Sequence, residues 1–206
     1  MARSRDSGRW LREHFNDHYV KLSQKEGWRS RASYKLLEIQ EKHSVIQSGM
    51  RVLDLGAAPG GWSQVAINLV GGNGRVVASD ILPMEPIGRV DFILGDFTQE
   101  NVLDSIVEAI GIGGVDFIMS DMAPNMSGIM AVDQSRSMYL VELVLDIARR
   151  VLNTNGSFLV KVFHGDGFEA YFKDMRTSFE RIKACKPKAS RPGSREVYLL
   201  GKSFKG

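Results

Sequence analysis

Four short runs of apolar, largely β-branched residues recur along the chain: "RVLDL" (51–55), "RVVASD" (75–80), "VDFIMSD" (115–121) and "SFLVKVF" (157–163). Amphipathic stretches over 62–70, 99–110 and 135–152 separate them, and the last gathers Met138, Val141, Leu145 and Ala148 on one broad apolar face. This rhythm predicts an α/β fold: a mostly parallel sheet with helices on both faces, whose ligands bind outside the carboxyl ends of the strands. Near the end, "ERIKACKP" (180–187) and "REVYLLGK" (195–202) are separated only by "KASRPGS", which reads as the loop of an antiparallel pair. A hairpin over 181–200 is therefore expected. A chain of 206 residues is long enough for one good-sized core, so a single domain over 1–206 is expected.

Charge is distributed unevenly. The net charge of +3 hides +5 over residues 1–35, −9 over 36–172 and +7 over 173–206. A polyanion would meet the basic ends while the acidic middle does something else. No run is apolar enough to span a bilayer, and the start of the chain carries Arg and Asp where a secretory signal needs an apolar core. The single cysteine, Cys185, has no internal partner, and no Cys/His group has metal-ligand spacing. A cytoplasmic, metal-free monomer is expected.

The chemistry concentrates in "LDLGAAPGGWSQ" (53–64), which joins the first strand to the first helix of the rhythm. Glycines let a backbone approach a ligand closely, and a helix start offers free amides. Yet Gly56, Gly60 and Gly61, with Pro59 among them, do not form G-x-G-x-x-G, so a pyrophosphate cradle is disfavoured. Asp80 ends the next strand, where a carboxylate can accept from ribose hydroxyls. Asp96, in "FILGDF", ends a further strand and can meet an adenine amino group, with Phe97 beside the ring. The set suits an adenosyl ligand that ends in an amino acid, S-adenosyl-L-methionine. Its candidate contacts are Asp54, Gly56, Ala57, Pro59, Gly60, Gly61, Trp62, Asp80, Asp96, Phe97 and Asp121. Segment 123–134 reads as a loop over the site, Met122 and Met126 as pocket lining or core filling, and His164 as a loop histidine.

With "RSRASYKLLEI" (29–39), "SDMAPNMSG" (120–128), "VKVF" (160–163) and "SREVY" (194–198) beside that loop, the chain resembles the FtsJ/RrmJ family of S-adenosylmethionine-dependent RNA 2′-O-ribose methyltransferases. The likeness runs from about Arg9 to Leu200 and is nearest to the bacterial branch acting on a uridine of large-subunit ribosomal RNA. It implies a Rossmann-like methyltransferase fold with a seven-stranded sheet whose last strand is antiparallel. It also implies a catalytic tetrad on Lys35, Asp121, Lys161 and Glu196, and ribosomal RNA, within the large subunit, as partner. Pro192-Gly193 before "SREVY" departs from the family pattern.

The residues fit that implication on their own terms. Lys161 stands inside an apolar strand, and Asp121 and Glu196 lie at the ends of similar strands, so each needs a partner. A ribose hydroxyl is a weak nucleophile that must be aligned and deprotonated. Lys161 is the candidate base or, if it stays charged, the group that orients the hydroxyl and stabilises developing negative charge. Asp121 holds Lys161, while Lys35 and Glu196 position the lysine and the ribose. Arg29 and Arg31 precede the helix of Lys35, and Lys186, Lys188, Arg191 and Arg195 precede or flank Glu196. Together with Tyr198 they are the candidate RNA-facing residues. A nicotinamide-dependent dehydrogenase would share the βαβ start but gives no role to Lys35 or Glu196. A non-catalytic RNA-binding protein would not need all four charged groups. Within the family, a transfer RNA methyltransferase is the alternative.

Overall fold

The computed structural model describes residues 17–191 and 193–206. Residues 1–16 of the basic amino-terminal stretch, with the beginning of the family likeness at Arg9, and Pro192 of the departing Pro-Gly pair lie outside the described residues.

Among these residues seven strands form one sheet in the order β3-β2-β1-β4-β5-β7-β6. They are β1 (Arg51–Leu55), β2 (Arg75–Asp80), β3 (Val90–Leu94), β4 (Val115–Ser120), β5 (Leu152–Phe163), β6 (Phe179–Cys185) and β7 (Glu196–Phe204). β1 to β5 run parallel to one another, and β7 pairs antiparallel with both β5 and β6. The helices are α1 (His18–Glu26), α2 (Ser33–His43), α3 (Gly61–Val70), α4 (Glu100–Ile110), α5 (Met130–Val151) and α6 (Phe168–Ser178).

The strand residues sort by parity onto two cores. Val52, Val76, Phe117, Leu159, Tyr198 and Leu200 pack with Leu36 and Ile39 of α2 and with Trp62 and Val65 of α3. Leu53, Val77, Ile118, Phe158, Val160 and Leu199 pack with Ile106 of α4, Val144 of α5 and Met175 of α6. A side-chain period of two on strands apolar at both parities requires cover on both faces, and the helices supply it. Because Val160 and Val162 face the second core, Lys161 between them faces the α2 side, directly opposite Tyr198 of β7.

Two boundaries differ from the sequence reading. Helix α5 begins at Met130, so only the first part of 123–134 is loop. Asp133 is the cause: its Oδ1 accepts from Ser127 N and Ser127 Oγ, each at 2.7 Å, and its Oδ2 from Gly128 N at 3.1 Å, which ties the loop to the first turn. Strand β5 begins at Leu152, which pairs with Val115 before an irregular polar stretch, and regular pairing resumes at Phe117 with Ser157. "NTNG" hides that early start, with Asn155 in left-handed backbone at φ 68°.

Candidate active site

The glycine loop is shaped from beneath. Gly56 N and Ala57 N both donate to Ser79 O of the neighbouring strand, at 2.8 and 3.1 Å, which folds the chain back over the sheet edge. Gly56 has φ +76°, and a Cβ there would lie 1.8 Å from Met122 Cγ, so a side chain would drive the loop off the wall opposite. Asp80 completes the turn: its Oδ2 accepts from Ala58 N at 2.9 Å and its Oδ1 from Leu82 N at 2.8 Å.

Asp54 is 1% exposed and accepts from Ser63 Oγ at 2.6 Å. Burial pushes its carboxyl up to about 7; the Ser63 hydrogen bond opposes this and the charges of Asp121 and Asp80 add to it. It therefore braces the loop against α3 from below.

Between the two loops lies a cleft of about 560 Å³, lined by Gly56, Asp80, Asp96, Phe97, Asp121 and Tyr139 among others. Asp96 shapes its own turn by accepting from Thr98 N at 3.0 Å. Gly60, Gly61 and Trp62 turn the other way. A Cβ on Gly61 would meet Ser30 Oγ at 2.3 Å, and Trp62 Nε1 donates to Ala32 O at 2.8 Å. Arg29 donates to Pro59 O at 3.4 Å, which fixes that end of the loop to the chain before α2. Ala57 is buried beside the cleft.

At one end of the cleft stand the four charged residues, each from a different element. Lys35 comes from α2, Asp121 follows β4, Lys161 lies in β5 and Glu196 opens β7. Lys161 Nζ donates to Asp121 O at 2.6 Å and stands 3.0 Å from Asp121 Oδ1. Lys35 Nζ is 2.7 Å from Glu196 Oε1 and 3.9 Å from Asp121 Oδ1. Burial alone would raise the Asp121 carboxyl, but Lys161 and Lys35 outweigh it and hold it below its ordinary value. Glu196 behaves likewise, with burial opposed mainly by Lys35. Both acids therefore stay charged at neutral pH, and all four groups remain at least nine-tenths buried except for the exposed edge of Asp121.

A fifth group completes the network. Tyr198 has no exposed surface, yet its hydroxyl accepts from Lys35 Nζ at 2.9 Å and donates to Asp121 Oδ1 at 2.6 Å. The expected RNA-facing role is therefore corrected: the phenol lies under the site and its hydroxyl is committed between two charged groups. Arg31 is corrected in the same way. It pairs with Asp17, donates to Ala189 O and is largely buried, so it ties α1 to the loop before β7. Arg29 donates to Glu85 O and Pro86 O as well as to Pro59 O. Lys186, Lys188, Arg191 and Arg195 are exposed on the loop before β7. His164 is exposed against Phe168, with ring centroids 4.4 Å apart.

Among the described residues, no three His, Cys, Asp or Glu side chains group so as to hold a metal, and no helix is long and apolar enough to cross a membrane.

A parallel sheet with an antiparallel strand inserted beside its edge, carrying a cleft and a buried charged cluster at its carboxyl end, defines a Rossmann-like methyltransferase. The chain belongs to the FtsJ-like methyltransferase family, whose model matches residues 28–204. Two curated relatives named ribosomal RNA large subunit methyltransferase E, from Pseudomonas fluorescens and Cellvibrio japonicus, are each 60% identical to it over all 206 residues. The match covers 99% and 98% of their lengths. A solved structure from Plasmodium falciparum, described as that of a candidate ribosomal RNA methyltransferase, superposes with a TM-score of 0.77 at 28% identity. It covers 87% of this chain and 100% of its own. A second, from Clostridium thermocellum, shares the fold with a TM-score of 0.54 at 17% identity, covering 81% of this chain and 97% of its own.

Proposed function

We propose that the protein transfers a methyl group from S-adenosyl-L-methionine to the 2′-hydroxyl of a uridine ribose in large-subunit ribosomal RNA. The observation that carries this reading is the position of Lys161, whose Nζ is fixed by Asp121 from two directions at the end of the cleft. The cleft fits the donor: Gly56 opens the wall that a side chain would close, and Asp80 and Asp96 present carboxylates spaced along it beside Phe97. In the cleft, S-adenosyl-L-methionine supplies a methyl group on a positively charged sulfur, electrophilic toward an oxygen nucleophile.

The chain's own residues do the rest. Asp80 accepts from ribose hydroxyls of the donor, Asp96 from its adenine amino group, and Phe97 packs beside that ring. Lys161 Nζ meets the substrate hydroxyl: as a free amine it takes the hydroxyl proton, and as an ammonium it orients the oxygen and stabilises the negative charge developing there. Asp121 sets the direction of the lysine, and its two contacts leave little freedom for the amine to swing away. Lys35 and Glu196 act as a pair whose opposite charges neutralise each other beside the ribose, and Tyr198 couples Lys35 to Asp121. The 60% identity to enzymes named for large-subunit ribosomal RNA supports that substrate. The exposed cations of the loop before β7 suit phosphate contacts that position RNA without reading its bases.

The test is methylation of ribosomal RNA from a strain lacking the protein, as naked RNA and as assembled large subunits, with the site mapped by 2′-O-methyl-sensitive primer extension. One new ribose stop in large-subunit RNA is expected. Methyl incorporation on a base, or on transfer RNA instead, would overturn the reading.

A further inference from the structure

A second concave site lies away from the cleft. Glu38, Lys42 and His43 on the last turns of α2, and Lys183, Cys185 and Lys186 at the end of β6, line a depression of about 240 Å³. The ladder explains the grouping. Cys185 stands opposite Tyr198 and Lys183 opposite Leu200, and both β7 partners belong to the core under α2, so β6 directs these side chains toward that helix. Lys42 follows Lys35 by seven residues, two helical turns, which puts it on the same side of α2 and about 10 Å along the axis from the tetrad.

The cations here outnumber their internal partners. Lys42 pairs with Glu38 at 2.6 Å but stays half exposed. Lys186 donates to Ser194 O at 2.8 Å, and Lys202 donates to His43 O at 2.8 Å, quieting the helix end that would otherwise repel an anion. The ammonium of Lys183 has no partner among the described residues. His43 carries no charge at neutral pH, because burial and then Lys183, Lys202 and Lys42 hold it below its ordinary value. Burial pushes the Cys185 thiol up, so it fills the floor next to His43, 3.4 Å away, rather than acting as a thiolate.

We propose that this depression seats backbone phosphates of the RNA strand flanking the target nucleotide, with Lys183 and Lys42 as its principal cations. The inference rests on the reading of the protein as an RNA methyltransferase. It adds a second anchoring point on the α2 side of the sheet, one that fixes the strand's direction across the tetrad. The rival is that lysines on the edge strand β6 merely keep its open side from pairing with another sheet.

The full chain and a Lys42→Ala/Lys183→Ala double variant would be compared on two RNAs: a long fragment spanning the target, and an oligonucleotide holding only the target nucleotide and its nearest neighbours. Each single-strand phosphate contact contributes about 0.7 to the salt slope. Losing two flattens the slope by about 1.4, so the affinity lost between 50 and 200 mM salt is about sevenfold smaller in the variant. That change is expected in KM for the long RNA, with kcat, KM for the oligonucleotide and calorimetric donor affinity unchanged. Lys183→Gln, which keeps most of the stem, should flatten the slope by about half as much. Equal slopes in variant and parent overturn the proposal, as does an equal change on both RNAs. Aggregation of the variants with an unchanged slope would assign the lysines to edge protection instead. If the parent methylates neither RNA, it is the enzyme reading that fails.

Discussion

Asp54→Asn isolates one buried charge. The unfolded chain releases this proton near 3.8, whereas the folded protein holds it to about 7, chiefly because the carboxyl is buried. Between those values the folded state binds the extra proton, so this group's contribution to stability falls as pH rises and levels off above 7. Each pH unit crossed between the two values costs about 1.36 kcal/mol, so the penalty grows by about 2.5 kcal/mol from pH 5 to pH 8. Asparagine carries no such penalty, and its amide oxygen can still accept from Ser63. The variant should therefore gain on the parent as pH rises. At about 2–4 °C per kcal/mol for a chain of this size, the Tm difference should move by roughly 5–10 °C in the variant's favour from pH 5 to pH 8. Thermal unfolding followed by circular dichroism at four pH values gives both curves. Subtracting them removes the opposing contributions of Asp121 and Glu196, which are held below their ordinary values and lose stability as pH falls. A Tm difference that stays constant across this range would refute the reasoning.

Lys161→Ala should keep donor affinity by calorimetry but lose at least a hundredfold in kcat, in line with the usual contribution of a positioned acid–base group. Glu196→Ala should lose less, because Lys35 keeps Tyr198 and Asp121 as partners. Asp96→Ala should weaken donor binding and lower Tm only slightly, since it gives up one exposed turn contact from Thr98 N, whereas Asp80→Ala should weaken binding and lower Tm more, since Asp80 accepts from both Ala58 N and Leu82 N; calorimetry and a melting curve separate the two. Gly56→Ala should abolish donor binding, and adding Met122→Ala should restore only part of it, because the clash is relieved while the strain at φ +76° remains.

The sheet was legible because its signals are local. β1 and β2 match the apolar runs residue for residue, and the bare loop between β6 and β7 could only be a hairpin. Residues whose roles depend on register were not legible. Tyr198 reads as one more aromatic in a strand until β7 is set opposite β5, where it lands directly across from Lys161. Arg31 reads as a surface cation until its partners, Asp17 and Ala189, arrive from 14 positions before it and 158 after it. Asp133 was hidden in a stretch rich in small and polar residues; an acid six positions after a Ser-Gly pair was the available sign of a tethered loop. The tetrad came from motif likeness, since no local pattern joins Lys35 to Glu196.

The insertion of β7 between β5 and β6 has a consequence for synthesis. A nascent chain makes β5 and β6 before the strand that joins them, so β6 has no neighbour in the sheet until β7 is complete. β7 supplies Glu196 and Tyr198, two of the groups around Asp121. A chain interrupted before Glu196 can fold its β1–β4 half, in keeping with the tendency of chains to fold from the amino end during translation. It lacks Glu196, which pairs with Lys35, and Tyr198, which joins Lys35 to Asp121, so the cleft can form early while the charged cluster at its end is completed last.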